Sequence, residues 1–224
     1  MVIPEIALKK GWVKKLPDNM SAEAGSLVEP VSSCIHTQLI APTKPGDVVV
    51  IIGAGPIGCI HGELARNSKA KAVIMADLSE DRLRVAGKFN FNEYICTKNQ
   101  DLVGKINCMY PRGVDKVISA NPSPEAITQG IEMVRKRGTV VAFGGLPKNN
   151  YMVPVNGNKI HYDEIQLIGS YAYSPGENDM AFDCISKGVI SIENYISDIF
   201  PLDSIEAGMH AAIEAKAMKI QIKI

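Results

Sequence analysis

The chain has 224 residues, 46% of them hydrophobic and 21% charged, with Lys plus Arg matching Asp plus Glu at 24 each. That composition belongs to a folded globular protein rather than a disordered one. A neutral chain with no basic run gives no electrostatic ground for a nucleic-acid or anionic-membrane partner. The longest apolar run is broken by Gly53, Gly55, Pro56 and Gly58, so no transmembrane span is expected. The opening "MVIPEIALKKGW" has no apolar core of signal-peptide length. Five scattered cysteines (Cys34, Cys59, Cys96, Cys108 and Cys184) form no C-x-x-C pair, which argues against a disulfide framework or a closed structural zinc site. Reduced thiols in a cytoplasmic protein are the expectation.

In chain order, residues 1–41 read as two short helices, with Pro30 opening the second. "DVVVIIG" reads as a buried strand and "PIGCIHGELARNSKA" as the helix after it. "KAVIMADL" is a second strand, and Ser79 caps the amphipathic helix that follows. "EYICT", "VDKVISA", "TVVAFGGL" and "EIQLIGSYA" are further strands. The helix "SPEAITQGIEMVRKRG" opens with Ser-Pro and is expected to end at Gly138. Strands this apolar should be buried on both faces, and their alternation with helices implies a doubly wound parallel α/β sheet. The last fifty residues hold a helix in "ENDMAFDCISKG", a strand-like "DIFPL", a helix "DSIEAGMHAAIEA" and a closing strand "KIQIKI". Those terminal strands have no obvious sheet of their own.

Gly53-Ala54-Gly55-Pro56-Ile57-Gly58 fits G-x-G-x-x-G between a strand and a helix. The first glycine permits the tight turn, the second lets backbone approach a diphosphate, and the third allows close helix–strand packing. The helix N-terminus then offers N–H groups and positive dipole to phosphate. Asp77 ends the second strand about 24 residues on, where a carboxylate can accept both ribose hydroxyls of an adenosine and would repel a 2′-phosphate. The expected cofactor is therefore NAD rather than NADP. The competing reading is a merely structural turn with Asp77 as a helix cap. A methyltransferase shares such a glycine loop and acidic strand end, but fits the later strands poorly. Arg82 is placed near the adenine or ribose, or else is a solvated helix arginine. Ser119, Ala120 and Asn121 end the fourth strand and would line the same crevice. Gly144 and Gly145 would bring backbone close to the cofactor's far half, unless they form a plain turn.

"KLPDNMSAEAGSLVEPVSSCIHTQ", "KPGDVVVIIGAGPIG", "ADLSEDRL" and "RGTVVAFGGL", in this order and spacing, resemble the zinc-type medium-chain dehydrogenases, most nearly the sorbitol and threonine dehydrogenase group. The resemblance covers nearly the whole chain. It implies that residues 1–33 and 172–224 are remnants of a GroES-like catalytic domain flanking a Rossmann NAD-binding domain at 34–171. The larger first part of that catalytic domain is expected to be missing, through truncation or from the gene product itself. Glu29, in the "EP" pair Glu29-Pro30, falls where the polyol enzymes carry a glutamate at or beside the catalytic zinc, so it is the metal-site candidate; a helix-capping glutamate is the alternative. The family's other ligands have no counterpart in the sequence, so zinc is expected only with the absent domain, and no catalytic residue is assigned.

Complete family members transfer hydride between a polyol or secondary alcohol and NAD, with zinc polarising the hydroxyl. The resemblance therefore implies an oxidoreductase whose partner is a small alcohol or polyol, with this chain alone inactive or incomplete. It also implies a dimer or tetramer formed through the sixth strand. A non-catalytic NAD-binding module and a zinc-independent reductase of the same superfamily are the alternatives. Polyol dehydrogenases often carry an arginine after the sixth strand, whereas this chain has Tyr171, Ala172 and Tyr173. Tyr171 or Tyr173 is a candidate border of the nicotinamide, with the subunit interface or simple packing as the other possible roles.

Overall fold

The computed structural model describes residues 2–214 and 217–223. Three helices come first: α1 (Glu5–Lys9), α2 (Ala22–Gly25) and α3 (Val28–Ile40). The central block then runs β1 (Val48–Ile52), α4 (Pro56–Asn67), β2 (Ala72–Asp77), α5 (Glu80–Ala86), β3 (Glu93–Cys96), α6 (Leu102–Met109), β4 (Val114–Ser119), α7 (Pro124–Met133), β5 (Val134–Ala142), α8 (Gly157–Tyr162) and β6 (Gln166–Gly169). It is followed by α9 (Pro175–Ser186), α10 (Ile192–Tyr195), β7 (Ile196–Pro201), α11 (Ile205–Ile213) and β8 (Lys219–Lys223).

β1 to β6 form one parallel sheet in the order β3-β2-β1-β4-β5-β6, the doubly wound arrangement expected of alternating strands and helices. Side-chain alternation along β1 divides the core in two. Val49 and Ile51 pack with Leu27, Val31, Cys59, Ile60, Ala181 and Tyr195 on one face. Val48, Val50 and Ile52 pack with Leu102, Ile106, Ile127 and Ile131 on the other. Each strand of this kind reads as continuous hydrophobicity because both faces are covered.

The expectation of burial on both faces fails at the sheet's edges. β6 is largely exposed and β3 only half-buried, because each has a neighbour on one side only. Residues 1–41 form three helices rather than the expected two, and the helix expected to open at Pro30 begins at Val28. Pro30 sits instead in the first turn of α3, where its missing N–H removes no intrahelical bond. The helix expected to reach Gly138 stops at Met133, and Val134 already pairs with Val114 as the start of β5. The register then slips before Lys116 meets Thr139, and the extra residues bulge outward. Arg137 takes φ +61 there, held by its N–H to Asp163 O (2.7 Å) and its Nε to Glu164 Oε2 (2.5 Å).

The terminal strands do have a sheet of their own: β7 and β8 pair in parallel, joined through α11. Gly208 of α11 lies on them so closely that a Cβ would meet Ile222 Cδ1 at 2.7 Å. Three polar links tie the flanking segments to one another and to the helix and loop that cover the sheet. Thr37 and Ser170 share a hydroxyl hydrogen bond of 2.7 Å. His36 Nδ1 lies 2.9 Å from Glu177 Oε1. Glu63 of α4, which is buried, accepts from Tyr195 Oη at 2.6 Å and from the Ser191 N–H at 3.2 Å.

Candidate functional site

The turn from β1 into α4 is shaped by three glycines under three different constraints. Gly53 adopts φ +118, and a Cβ on it would lie 2.8 Å from Ala120 O. Gly58 faces back onto the turn, where a Cβ would fall 1.8 Å from Gly53 O. Helix and strand are therefore as close as backbones allow. Gly55, the N-cap of α4, is different: the nearest protein atom to a Cβ there would be Arg82 Nη1 at 3.7 Å. The space over Gly55 is open, and Pro56 and Ile57 begin α4 beside it. First-turn N–H groups of a helix have no intrahelical acceptor, so this end is suited to an anion.

Asp77 closes β2 and reaches the same turn. Its Oδ2 accepts from the Ala54 N–H at 2.7 Å and its Oδ1 from the Ser79 N–H at 2.8 Å. The N-cap of α5 is Ser79, whose side chain accepts from Arg82 N, so Asp77 is not the cap. The two amides fix the carboxylate's orientation and leave each oxygen lone-pair capacity for another donor. A cavity of about 350 Å³ opens beside it, lined among others by Asp77, Arg82, Thr97, Asn121, Glu125 and Gln129. A smaller one, about 110 Å³, lies over Ala54, Gly55 and Pro56, with Arg82, Ala212 and Met218 on its walls. Arg82 borders both.

Further along the same edge, Ala120 donates to Ile52 O at 2.8 Å, and Gly144 donates to Ser119 O at 3.0 Å. Gly144 lies against Asn121, since a Cβ on it would sit 2.1 Å from Asn121 O, while Gly145 faces open space. The carboxyl ends of β1, β2, β4 and β5 thus gather Gly53, Gly55, Gly58, Asp77, Arg82, Ser119, Ala120 and Gly144. Tyr171 is not among them: it lies beyond β6, 92% exposed. Thr97, Glu125 and Gln129 were not legible in advance, because nothing in a single chain ties the end of β3 or the start of α7 to Asp77. Ala212 and Met218 belong to the C-terminal unit, which has no sequence signal linking it to the turn.

The residues present do not fit a catalytic zinc. Glu29 is exposed in the first turn of α3. Cys34 is fully buried, which pushes its thiol well above the usual range, and His36 is engaged by Glu177. Among the described residues no three His, Cys, Asp or Glu side chains come together as a metal site, and a zinc ion needs about four ligands. Nor, among the described residues, is any helix long and apolar enough to cross a membrane.

Compared with known proteins, residues 56–187 match the family described as zinc-binding dehydrogenase. The chain is 29% identical over 221 residues to a protein named probable D-xylulose reductase A of Aspergillus clavatus, covering 96% of this chain and 61% of the relative. It is 27% identical over 220 residues to sorbitol dehydrogenase of Bacillus subtilis, covering 98% and 62%. It superimposes with a TM-score of 0.84 and 25% identity on a structure from Sinorhizobium meliloti 1021, described as a zinc-binding dehydrogenase bound to NADP, over 94% of this chain and 62% of that one. The chain spans about three fifths of the length of the curated relatives it matches.

Proposed function

The chain belongs to the zinc-binding dehydrogenase family, and from that premise we propose that it is the NAD-binding portion of an oxidoreductase acting on a polyol or secondary alcohol. One observation carries the reading: the open space over Gly55 adjoins a cavity in which Asp77 is held by two backbone amides. A diphosphate fits over Gly55 against the start of α4, and the adenosine ribose fits against Asp77. Arg82, on the wall of both cavities, would face the negative charge between them. Asp77 and Glu125 in one cavity disfavour a 2′-phosphate, which supports NAD over NADP. When bound, NAD would accept hydride from the carbinol carbon of the alcohol. Ser119, Ala120 and Gly144 would border the cofactor's far half, with Gly145 and Tyr171 beyond it. The names of the relatives, a xylulose reductase and a sorbitol dehydrogenase, support a polyol or its ketose as substrate. Glu29 would join a metal only with donors that the described residues do not gather, so the part played by this chain is cofactor binding.

On the same reading, 34–171 is the cofactor domain, with 1–33 and 172–224 as segments of a second, catalytic domain. The open edge of β6 is the proposed pairing surface for a second copy. A dinucleotide-binding module without turnover is the second reading, favoured by the lack of a gathered donor set among the described residues; zinc content and turnover with NAD plus polyols separate the two.

Calorimetric titration with NAD and NADP tests the cofactor site. NAD should bind more tightly than NADP. Asp77→Ala should weaken NAD about tenfold or more, as expected for hydrogen bonds to a charged group, and narrow the preference between the two. Unchanged affinities for both would refute the ribose role.

A further inference from the structure

At the amino end of the main sheet, opposite the glycine turn, a cavity of about 660 Å³ opens beside Val48, the first residue of β1. β1 is five residues long, which at ~3.3 Å per residue separates the cavity from Gly53 by ~17 Å. Its walls include Lys71, Met109, Tyr110, Arg112, Asp115 and Arg135, none of which belongs to the proposed cofactor crevice. Its size falls in the ~300–1,000 Å³ range of small-molecule sites.

Local structure brings the two arginines to one wall. α6 ends at Met109, and the Gly113 N–H closes a turn onto Tyr110 O at 2.7 Å. Gly113 takes φ +80, and a Cβ on it would fall 2.5 Å from Arg135 N, so the chain that carries Arg112 runs directly against the start of β5. Asp115 then fixes the wall. Its Oδ2 accepts from the Val48 N–H at 2.8 Å and its Oδ1 from Arg135 Nε at 2.6 Å. Arg135 Nη1 donates to Lys136 O at 2.7 Å, which leaves the Nη2 end of a held guanidinium for a further acceptor. The side chains of Arg112 and Lys71 make no hydrogen bond or ion pair among the described residues.

Asp115 and Arg135 cancel, so Lys71 and Arg112 leave the cavity with a surplus of positive charge in a chain that is neutral overall. The carbonyl end of α6 offsets about half a charge of it. An adjoining cavity of about 590 Å³ shares Arg112 and Arg135, but there Lys136 is matched by Glu132 and Lys159 by Asp163, so the surplus is not extended. The arrangement suits one compact dianion: guanidinium groups take phosphate oxygens in pairs, and an ammonium adds a point charge. Met109, 41% exposed, and Tyr110 give the same cavity an apolar flank. We propose that this cavity binds a phosphate monoester with an aromatic body. Arg112 and Arg135 Nη2 hold the phosphate, Lys71 supplies the second charge, and Met109 and Tyr110 cover the ring.

Calorimetric titration of the full chain with phenyl phosphate, inorganic phosphate and benzoate tests this, each with and without saturating NAD. Phenyl phosphate should bind saturably and with the same Kd whether or not NAD is present. Benzoate, with a single charge, should bind about tenfold more weakly, the cost of a hydrogen bond to a charged group. Inorganic phosphate, without a ring, should also bind more weakly. Arg112→Gln should raise the Kd for phenyl phosphate about tenfold and leave NAD affinity and the urea midpoint at wild-type values. No saturable binding of phenyl phosphate, competition between it and NAD, a matching Kd for benzoate or inorganic phosphate, or an unchanged Kd in Arg112→Gln would each overturn the proposal. Phenyl phosphate binding in a chain that takes no NAD would keep this site and remove the cofactor reading.

Discussion

Gly55 and Gly58 stand three positions apart, and their surroundings set opposite consequences for adding a methyl group. At Gly55 the backbone is extended and open space lies above it, so Gly55→Ala should leave the urea midpoint close to wild type. Its methyl would occupy the place proposed for the diphosphate, so NAD affinity should fall at least about tenfold. At Gly58 the same methyl overlaps Gly53 O, and Gly58→Ala should cost about 3 kcal/mol or more of stability by urea denaturation. If both variants lost stability equally, Gly55 would be structural and the cofactor reading would lose its main support. The tight turn at Gly53 and the close packing at Gly58 were legible in the sequence because G-x-G-x-x-G assigns each glycine a separate place at fixed spacing. Asp77 was legible by position, but its two backbone amide donors were not, since they depend on how the turn folds back. Tyr171 stayed open between the nicotinamide, the subunit interface and packing, because a residue just past a strand carries no signal of the direction its side chain takes.

At the scale of elements, regular alternation made the six strands of the main sheet readable, while boundaries and pairings that depend on distant partners were not. Nothing local separates "IEMVRKRG" from a continuing helix; Val114 decides it by taking Val134 as a strand partner. In the same way, "KIQIKI" acquires a sheet only because α11 carries the chain back beside β7. The contact between α4 and the C-terminal segment is equally non-local. Glu63 is buried, and the Tyr195 hydroxyl satisfies its Oε2 at 2.6 Å. Burial, and after it the same carboxylate, drives the Tyr195 phenol well above its ordinary titration range. Tyr195→Phe would leave a buried charged oxygen short of a donor, and should lower stability by about 1.5–3 kcal/mol. A urea midpoint matching wild type would show that water or Arg66 substitutes freely for the phenol.

Over the whole molecule, balanced charge conceals an asymmetry toward acid. Glu177 is held down to about 2, chiefly by hydrogen bonds from Ser174 and then by His36. In the unfolded chain it titrates near 4.5, so its contribution is complete above that pH and is lost as pH falls toward 2. His61 is fully buried beside Phe143, and burial, with Lys116 adding to it, holds its pKa down to about 3. The unfolded imidazole takes up a proton below 6.5 while the folded one does not, so stability again falls on acidification between those values. Each group contributes a slope of up to ~1.4 kcal/mol per pH unit within its own interval. Urea midpoints measured at pH 7, 5.5, 4 and 3 should fall steeply; His61→Leu should flatten the upper part of the curve and Glu177→Gln the lower. A curve unchanged in His61→Leu would show that water reaches the ring.

The wedge of Gly58 against the Gly53 carbonyl bears on motion as well as on packing. With no gap wide enough for a methyl group, α4 has no room to advance on β1, and the anion-facing end of the helix is a fixed datum within the sheet. Any tightening of the crevice around a guest then falls to the opposite bank, where Ala212 and Met218 overlook the turn from the unit of β7, α11 and β8. One bank is immovable, and adaptation to different guests is left to the other.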